Sequence, residues 1–370
     1  MDFSLNEEQT ALVALADQIL TEKASHESIR AIERGEGPRF DAELWKTLGA
    51  SGLIGVALPE AYGGAGMSFL EFSAILEKVG RTVAPIPLLE TVVFGGLPLM
   101  AHGTEAQKQA LLPGIASGEK IVTAALFEEL REPADPGTTA TADGGGWVLD
   151  GNKIAVRAAE LASQILVPAR TADGLTVFLV DPTSAGVHLT VLDTTTGQPE
   201  ADMRLNGVRV EADAIVGGLD QGGSIVAEMV LQGNAALCSY VVGACESALA
   251  LTSAYIKTRK QFDQPIAMFQ AVAHRAADAY IDTEAIRLVA RQAAWRISEG
   301  LPSETEVAIA AYWASSGGDR VLHAAQHLHG GVGVDRDYPL HRFFLAIRHL
   351  GLTMGGESRQ LQSLGRLVVA

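Results

Sequence analysis

Cysteine and aromatic residues are scarce in this chain of 370 residues, which contains 2 cysteines and 6% aromatics. Cys238 and Cys245 stand about two helical turns apart on one face of an apolar stretch, too far for a disulfide within a straight helix. No cluster of Cys, His and carboxylate side chains completes a set of zinc ligands either. We therefore interpret both cysteines as buried packing residues rather than as redox or metal-binding groups.

Positive charge is also in short supply, because 28 Lys and Arg against 44 Asp and Glu give a net charge of -16. A field of that sign repels nucleic acid and anionic membranes, so an anionic ligand requires a locally cationic site. We find no apolar run that approaches the roughly 20 residues needed to span a bilayer. Residues 1–5 show neither the basic flank nor the apolar core of a signal peptide. We predict a cytoplasmic protein with no nucleic-acid partner and no membrane insertion.

The first third of the chain has helical periodicity. Its apolar residues recur at three and four spacing in four segments, residues 6–23, 41–48, 69–79 and 105–112. Between them, residues 59–66 form a glycine-rich loop, which predicts a turn with positive φ angles. These patterns predict an N-terminal helical domain over residues 1–120.

The pattern then changes twice. Short apolar runs at residues 164–167, 176–180, 187–192 and 203–210 alternate with turn residues, which predicts a small antiparallel barrel or sandwich over residues 121–222. Helical periodicity returns over residues 224–259, 270–298 and 304–329, and the middle segment carries a narrow apolar seam. We predict a mainly α chain with a middle β-barrel domain and a C-terminal four-helix bundle over residues 223–370.

Two segments have features of a ligand site. Residues 259–266 break one long helix from the next and place Arg259 and Lys260 together, so they could hold a phosphate. Residues 327–333 run from a helix C-terminus into glycines, where backbone N–H groups can approach a ligand closely. The second segment does not follow a strand and does not fit a dinucleotide-binding fingerprint, so nicotinamide binding is unsupported.

Taken together, these segments resemble the acyl-CoA dehydrogenase family over nearly the whole chain. The stretches that carry the resemblance are residues 53–66, 103–119, 149–153, 259–270 and 330–339, in the family's order and spacing. The resemblance implies a helical N-terminal domain, a middle β domain and a C-terminal four-helix bundle, assembled as a dimer of dimers with FAD across a subunit interface.

The resemblance also implies which residues touch the cofactor. Arg259 and Phe262 match the family's Arg and Phe that contact FAD across the interface, and Gln270 lies close by on the next helix. A segment that receives the FAD adenylate from the neighbouring subunit is matched by His327, Gly330 and Gly331. An Arg that binds a pyrophosphate in bidentate fashion suits this role.

The catalytic carboxylate of the family is missing. Its usual position, after Tyr338-Pro339, falls on residues 354–356, which are Met-Gly-Gly, and the alternative position on the preceding long helix falls on Gly233. Two glutamates lie nearby, Glu357 and Glu246, but a shift of one residue turns a helical side chain by about 100°. We predict no catalytic base in this chain.

The flavin-facing segments of the family's middle domain are also replaced. The Thr-Glu-Pro segment reads as residues 127–133, FEELREP, and the Trp-Ile-Thr after the lysine reads as residues 154–156, Ile-Ala-Val. One catalytic half-site is therefore lost, while the Arg259 and Gly330 segments that serve the neighbouring site are kept. This pattern resembles the non-catalytic subunit of bacterial heterotetrameric acyl-CoA dehydrogenases, a branch associated with steroid side-chain CoA thioesters.

This resemblance implies a lipid-metabolism oxidoreductase whose partners are a catalytic acyl-CoA dehydrogenase subunit, an acyl-CoA substrate and an electron-transferring acceptor protein. The chain would complete an FAD site without supplying the base. Two alternatives remain open: a self-sufficient homotetramer that uses Glu357 as base, and a flavin-free structural or binding relative.

Overall fold

The computed structural model describes residues 5–369, so the expectation about the N-terminus lies outside the described residues for positions 1–4. The chain divides into two compact units. We call residues 5–29, 68–84 and 234–369 the helical unit, and residues 30–67 and 85–233 the mixed unit.

Most described residues lie in helices, as the periodicity predicts. The α-helices are α1 (Glu7–Lys23), α2 (His26–Arg34), α3 (Ala42–Ala50), α4 (Phe69–Thr82), α5 (Leu88–Thr91), α6 (Leu97–His102), α7 (Glu105–Ser117), α8 (Gly222–Thr258), α9 (Gln270–Ser298), α10 (Glu304–His329), α11 (Leu340–Thr353) and α12 (Gly356–Val369). A π-helical turn at Val92–Gly96 joins α5 to α6. Helix starts are fixed locally: Asn6, Ser68 and Thr104 each form a capping box at the start of α1, α4 and α7.

Small residues bring the helices of the helical unit close together. A Cβ atom added at Gly243 of α8 would lie 1.8 Å from the carbonyl oxygen of Glu77 in α4, and one at Gly80 would lie 2.0 Å from that of Tyr240. The two helices therefore cross backbone against backbone. The seam predicted along α9 is confirmed at its centre, where Ala279, Ile286, Ala290 and Ala293 are buried. Cys238 and Cys245 are both free and buried, as predicted, and burial raises the pKa of each thiol.

The length of α8 corrects one expectation. This helix is long and apolar enough to cross a membrane by length and composition, with a mean hydropathy of 1.5 in its most apolar window, so the prediction that no such run exists is wrong. Within that window 67% of the residues are buried inside the structure, as in the core helix of a folded protein.

The mixed unit contains an eight-stranded sheet. Its strands are β1 (Val122–Ala124), β2 (Thr139–Asp143), β3 (Gly146–Arg157), β4 (Gln164–Arg170), β5 (Leu175–Val180), β6 (Val187–Val191), β7 (Glu200–Glu211) and β8 (Ile215–Val216). They pair in the order β6-β7-β3-β2-β4-β5-β8, with β1 added beside β4. The fold class is confirmed, but the sheet is not wholly antiparallel, because β1 and β2 both pair with β4 in parallel.

Candidate functional site

The predicted basic segment is a tight hairpin at the end of α8. Strands β9 (Lys260–Gln261) and β10 (Gln264–Pro265) pair antiparallel and leave Phe262 and Asp263 as a two-residue loop. Both loop residues have positive φ angles, 52° and 64°, the geometry of a type I′ turn that usually takes Asn or Gly. The turn directs the Phe262 ring into solvent, where it is 87% exposed, and its centroid lies 6.1 Å from that of Phe269 in an edge-to-face arrangement.

The hairpin also displays positive charge. Arg259 and Lys260 are both exposed, and within residues 5–369 neither side chain forms a salt bridge. In a chain of net charge -16 such cations ordinarily find carboxylates, so this pair is available to an anion. Gln270, which follows the hairpin as the first residue of α9, is also exposed.

The predicted adenylate segment follows directly from the C-terminus of α10. His327, Gly330 and Gly331 are exposed. Gly330 has a φ of 62°, which a residue with a side chain rarely adopts, so this chain's own backbone requires the glycine. Gly331 has no positive φ, and a Cβ added there would meet nothing within 4 Å. Within this chain nothing demands a glycine at position 331, which leaves room for a close approach from outside.

Three aromatic side chains, which we call the aromatic cluster, lie beneath these segments: Tyr255 of α8, His329 of α10 and Tyr338. The His329 ring stacks on Tyr255 with centroids 4.5 Å apart and an interplanar angle of 26°, and the Tyr338 ring lies 5.2 Å away. The sequence analysis did not identify this cluster. Tyr255 is distant along the chain from His329 and Tyr338, and single aromatic residues on helices are ordinarily core residues.

Hydrogen bonds fix the protonation of His329. Its Nδ1 lies 2.8 Å from the carbonyl oxygen of Ala325, so Nδ1 carries the proton, and Nε2 accepts from the Tyr338 hydroxyl at 3.2 Å. Burial lowers the pKa of His329, while the bond to Ala325 acts in the opposite direction. The ring is therefore a neutral group held at both nitrogens.

Neither of the positions predicted for the family's base carries a group that can take up a proton. Met354 is 3% exposed and packs against Cys238, with the two sulfur atoms 3.8 Å apart. Gly355 and Gly356 both have positive φ angles, 86° and 74°. At Gly233, an added Cβ would lie 2.7 Å from the ring of Phe94, so the ring of Phe94 occupies the space that a side chain there would need.

The two nearby glutamates have other surroundings. Glu246 lies 3.6 Å from Arg287 and 3.9 Å from Arg81, which places it in an ion-pair network. Glu357 is exposed in the first turn of α12. Its charge adds to the larger effect of the Asp282 hydrogen bond in raising the pKa of Arg320. Glu246 is therefore engaged in ion pairs and Glu357 is exposed, so neither has the surroundings of a base held in an apolar pocket.

The replaced middle-domain segments form one small structure in the mixed unit. The N–H of Ile154 donates to the carbonyl of Phe127 at 2.9 Å, and β3 bulges at this point, where Ala155 has a φ of 49°. Beneath the bulge, the fully buried Lys153 donates to Glu128 at 2.7 Å and to the carbonyl of Pro168 at 2.8 Å. These residues hold one another, and Ile154, Ala155 and Val156, the segment predicted to replace the family's Trp-Ile-Thr, carry aliphatic side chains.

Comparison with known proteins gives matches over nearly the whole chain. Three family models match: the acyl-CoA dehydrogenase N-terminal domain over residues 6–119, the middle domain over 131–208 and the C-terminal domain over 220–368. Acyl-CoA dehydrogenase FadE27 of Mycobacterium tuberculosis is 37% identical over 374 residues, covering 99% of this chain and 98% of the relative.

Solved structures of assemblies are also similar. A chain of the ChsE4-ChsE5 complex from Mycobacterium tuberculosis has a TM-score of 0.94 at 38% identity, covering 100% of this chain and 99% of that one. A chain of a variant of the Tcur3481-Tcur3483 steroid ACAD has a TM-score of 0.92 at 40% identity, with 99% of each chain covered. With all three domain models matched and a relative this similar over almost its full length, the chain belongs to the acyl-CoA dehydrogenase family.

Proposed function

We propose that this chain is the partner subunit of an FAD-dependent acyl-CoA dehydrogenase, and that it completes an FAD site on a separate catalytic subunit without supplying the base. The observation that carries the proposal is an asymmetry within the chain. Arg259, Phe262 and Gly331 are displayed outward. The base positions, in contrast, hold Met354 and Gly233.

The residues of the helical unit fit the adenylate and pyrophosphate half of FAD. Arg259 and Lys260 supply cationic donors for the pyrophosphate. His327 with the Gly330 and Gly331 backbone offers an exposed surface that a planar adenine can approach closely, and Phe262 and Gln270 are exposed as well. The middle-domain segment at Ile154 does not fit the flavin ring in the way the family does.

Bound FAD would supply the hydride acceptor, and the catalytic subunit would supply the proton acceptor for α,β-dehydrogenation of an acyl-CoA thioester. This chain's residues would bind and orient the cofactor. An electron-transferring acceptor protein would then reoxidise the flavin of the assembled pair. We place the pair in the cytoplasm.

We further propose a steroid side-chain CoA as substrate and an assembly of two unlike chains, two of each. Both rest on similarity to a complex of two named subunits and to a structure described as a steroid ACAD. The division into domains at 1–120, 121–222 and 223–370 belongs to the same proposal.

The test is coexpression of this chain with an acyl-CoA dehydrogenase encoded beside it, followed by measurement of subunit ratio and visible flavin absorbance. We expect about one flavin per pair of unlike chains. Full flavin and turnover in this chain alone would overturn the proposal and favour a homotetramer that uses Glu357. A colourless pair would favour the flavin-free alternative.

A variant refines the test. R259Q removes a charged hydrogen-bond donor worth about 1.5–3 kcal/mol, so flavin should bind the pair roughly 10- to 100-fold more weakly. R209Q is the matched control, because Arg209 is an exposed arginine of β7 paired with Asp143 and lies outside the proposed site. Equal flavin affinity in the R259Q and R209Q pairs would remove Arg259 from the site.

A further inference from the structure

We propose that the aromatic cluster of Tyr255, His329 and Tyr338 positions the two FAD-contacting segments relative to each other, and so sets the preference of the assembled pair for FAD over FMN. This inference rests on the proposed function. The three residues are positioning residues, because none of them is among the predicted cofactor contacts.

The cluster joins the two segments at their bases. Tyr255 lies one helical turn before Arg259, whose N–H donates to the Tyr255 carbonyl at 2.8 Å. The Arg259 carbonyl in turn accepts from the N–H of Ile266 at 2.8 Å, which closes the hairpin. Gly330 directly follows His329 in the chain. Stacking of His329 on Tyr255 therefore fixes the position of Arg259, where the hairpin begins, relative to Gly330, where the glycine segment begins.

The far end of the glycine segment is tied down by the same ring. The Tyr338 hydroxyl donates to Nε2 of His329, so the segment that begins at Gly330 is bound at its far end to the residue that precedes it. Between these points the backbone is close-packed, since a Cβ added at Gly333 would lie 2.7 Å from the carbonyl oxygen of Gln326. His329 is 3% exposed, so solvent does not compete for its bonds.

A planar ring held by two hydrogen bonds and one stack has little freedom to rotate. FAD can contact Arg259 with its pyrophosphate and Gly331 with its adenylate simultaneously only if the two residues are correctly spaced. A spacing that is fixed before binding lowers the entropy cost of ordering the two segments. FMN has neither an adenylate nor a pyrophosphate. Loss of the cluster should therefore weaken FAD binding and leave FMN binding nearly unchanged.

The experiment measures FAD and FMN affinity of the coexpressed pair after flavin removal, using flavin fluorescence, for wild type and variants of this chain. H329L removes the stack and both hydrogen bonds, and should weaken FAD about tenfold, because the spacing of the two segments is then no longer fixed before FAD binds. H329F keeps a ring for stacking and should weaken FAD by roughly threefold, as should Y338F, which removes only the hydroxyl. FMN affinity should change by less than about twofold in all three.

The matched control is H323L on the same helix, because His323 is an exposed histidine whose ion pair is with Asp319, outside the cluster. It should leave both affinities at the wild-type value. If H329F and Y338F weaken FAD and FMN equally, or weaken neither, the cluster is ordinary core and the inference fails. A wild-type pair that binds no flavin would instead refute the proposed function, and with it the cluster's role, before any variant is made.

Discussion

The buried pair of Lys153 and Glu128 allows the sharpest prediction about the mixed unit. Lys153 is completely inaccessible and Glu128 is 8% exposed, so each charge depends on the other for solvation. Glu128 also accepts from the Thr138 hydroxyl at 2.6 Å and from the N–H of Gly137. K153M keeps the aliphatic length but leaves a buried carboxylate without its cation, which costs roughly 3–5 kcal/mol at neutral pH.

The pH dependence has a definite sign. Burial opposes ionisation of Glu128, but the hydrogen bonds from Lys153 and Thr138 outweigh it and hold its pKa below the usual value. A carboxyl with a depressed pKa stabilises the folded state above its unfolded value of about 4.3, and that stability is lost as the pH falls through the folded value. The difference in the free energy of unfolding between wild type and K153M should therefore become smaller below about pH 4.

Hydrogen exchange of the β3 and β4 amides is the suitable assay, because the two units of the chain need not unfold together. K46M, which removes an exposed lysine of α3 in the same unit, is the control. It should change the free energy of opening obtained from exchange by less than about 0.5 kcal/mol. The reasoning would be refuted if the β3 and β4 amides of K153M exchanged at the wild-type rate at pH 7. It would also be refuted if the difference in stability between K153M and wild type grew in acid.

Three further predictions concern the helical unit and the proposed site. G243A should destabilise the chain by at least about 2 kcal/mol in urea denaturation, since its Cβ would lie 1.8 Å from a backbone oxygen of α4. G365A is the control: its Cβ would meet nothing within 4 Å, so it should stabilise the chain by about 0.5–1 kcal/mol. The opposite order of the two stabilities would contradict the close crossing of α4 and α8. G331A should leave the denaturation midpoint of the isolated chain unchanged and lower the flavin retained by the pair on gel filtration, and full retention would exclude a close approach there. E357Q should leave steady-state turnover of the pair unchanged, and a tenfold loss would favour Glu357 as base.

Strong periodicity made the long helices predictable. Helices α9 and α10 begin and end where the apolar pattern does, and the capping residues of α1 and α3 mark their starts. Periodicity did not reveal α2, which is short and polar, or the π-helical turn, where a continuous apolar run has no helical face. The parallel strand pairs were missed because pairing partners far apart in sequence leave no local signal.

The candidate site was predictable only in part. Family spacing pointed to Arg259 and Gly330, but spacing alone left open the roles of the two nearby glutamates. Glu246 was resolved by its contacts with Arg81 and Arg287, which come from other helices. Tertiary packing alone brings such partners together.

The hairpin at Phe262 has a consequence for how this chain trades stability against assembly. A bulky residue at positive φ costs roughly 1–2 kcal/mol, and a ring that is 87% exposed gains little packing energy in return. Glycine at position 262 would therefore make the solitary chain more stable. Under the proposed function, the Phe262 ring makes its packing contacts only in the assembled pair, so the cost of the strained turn falls on the free subunit.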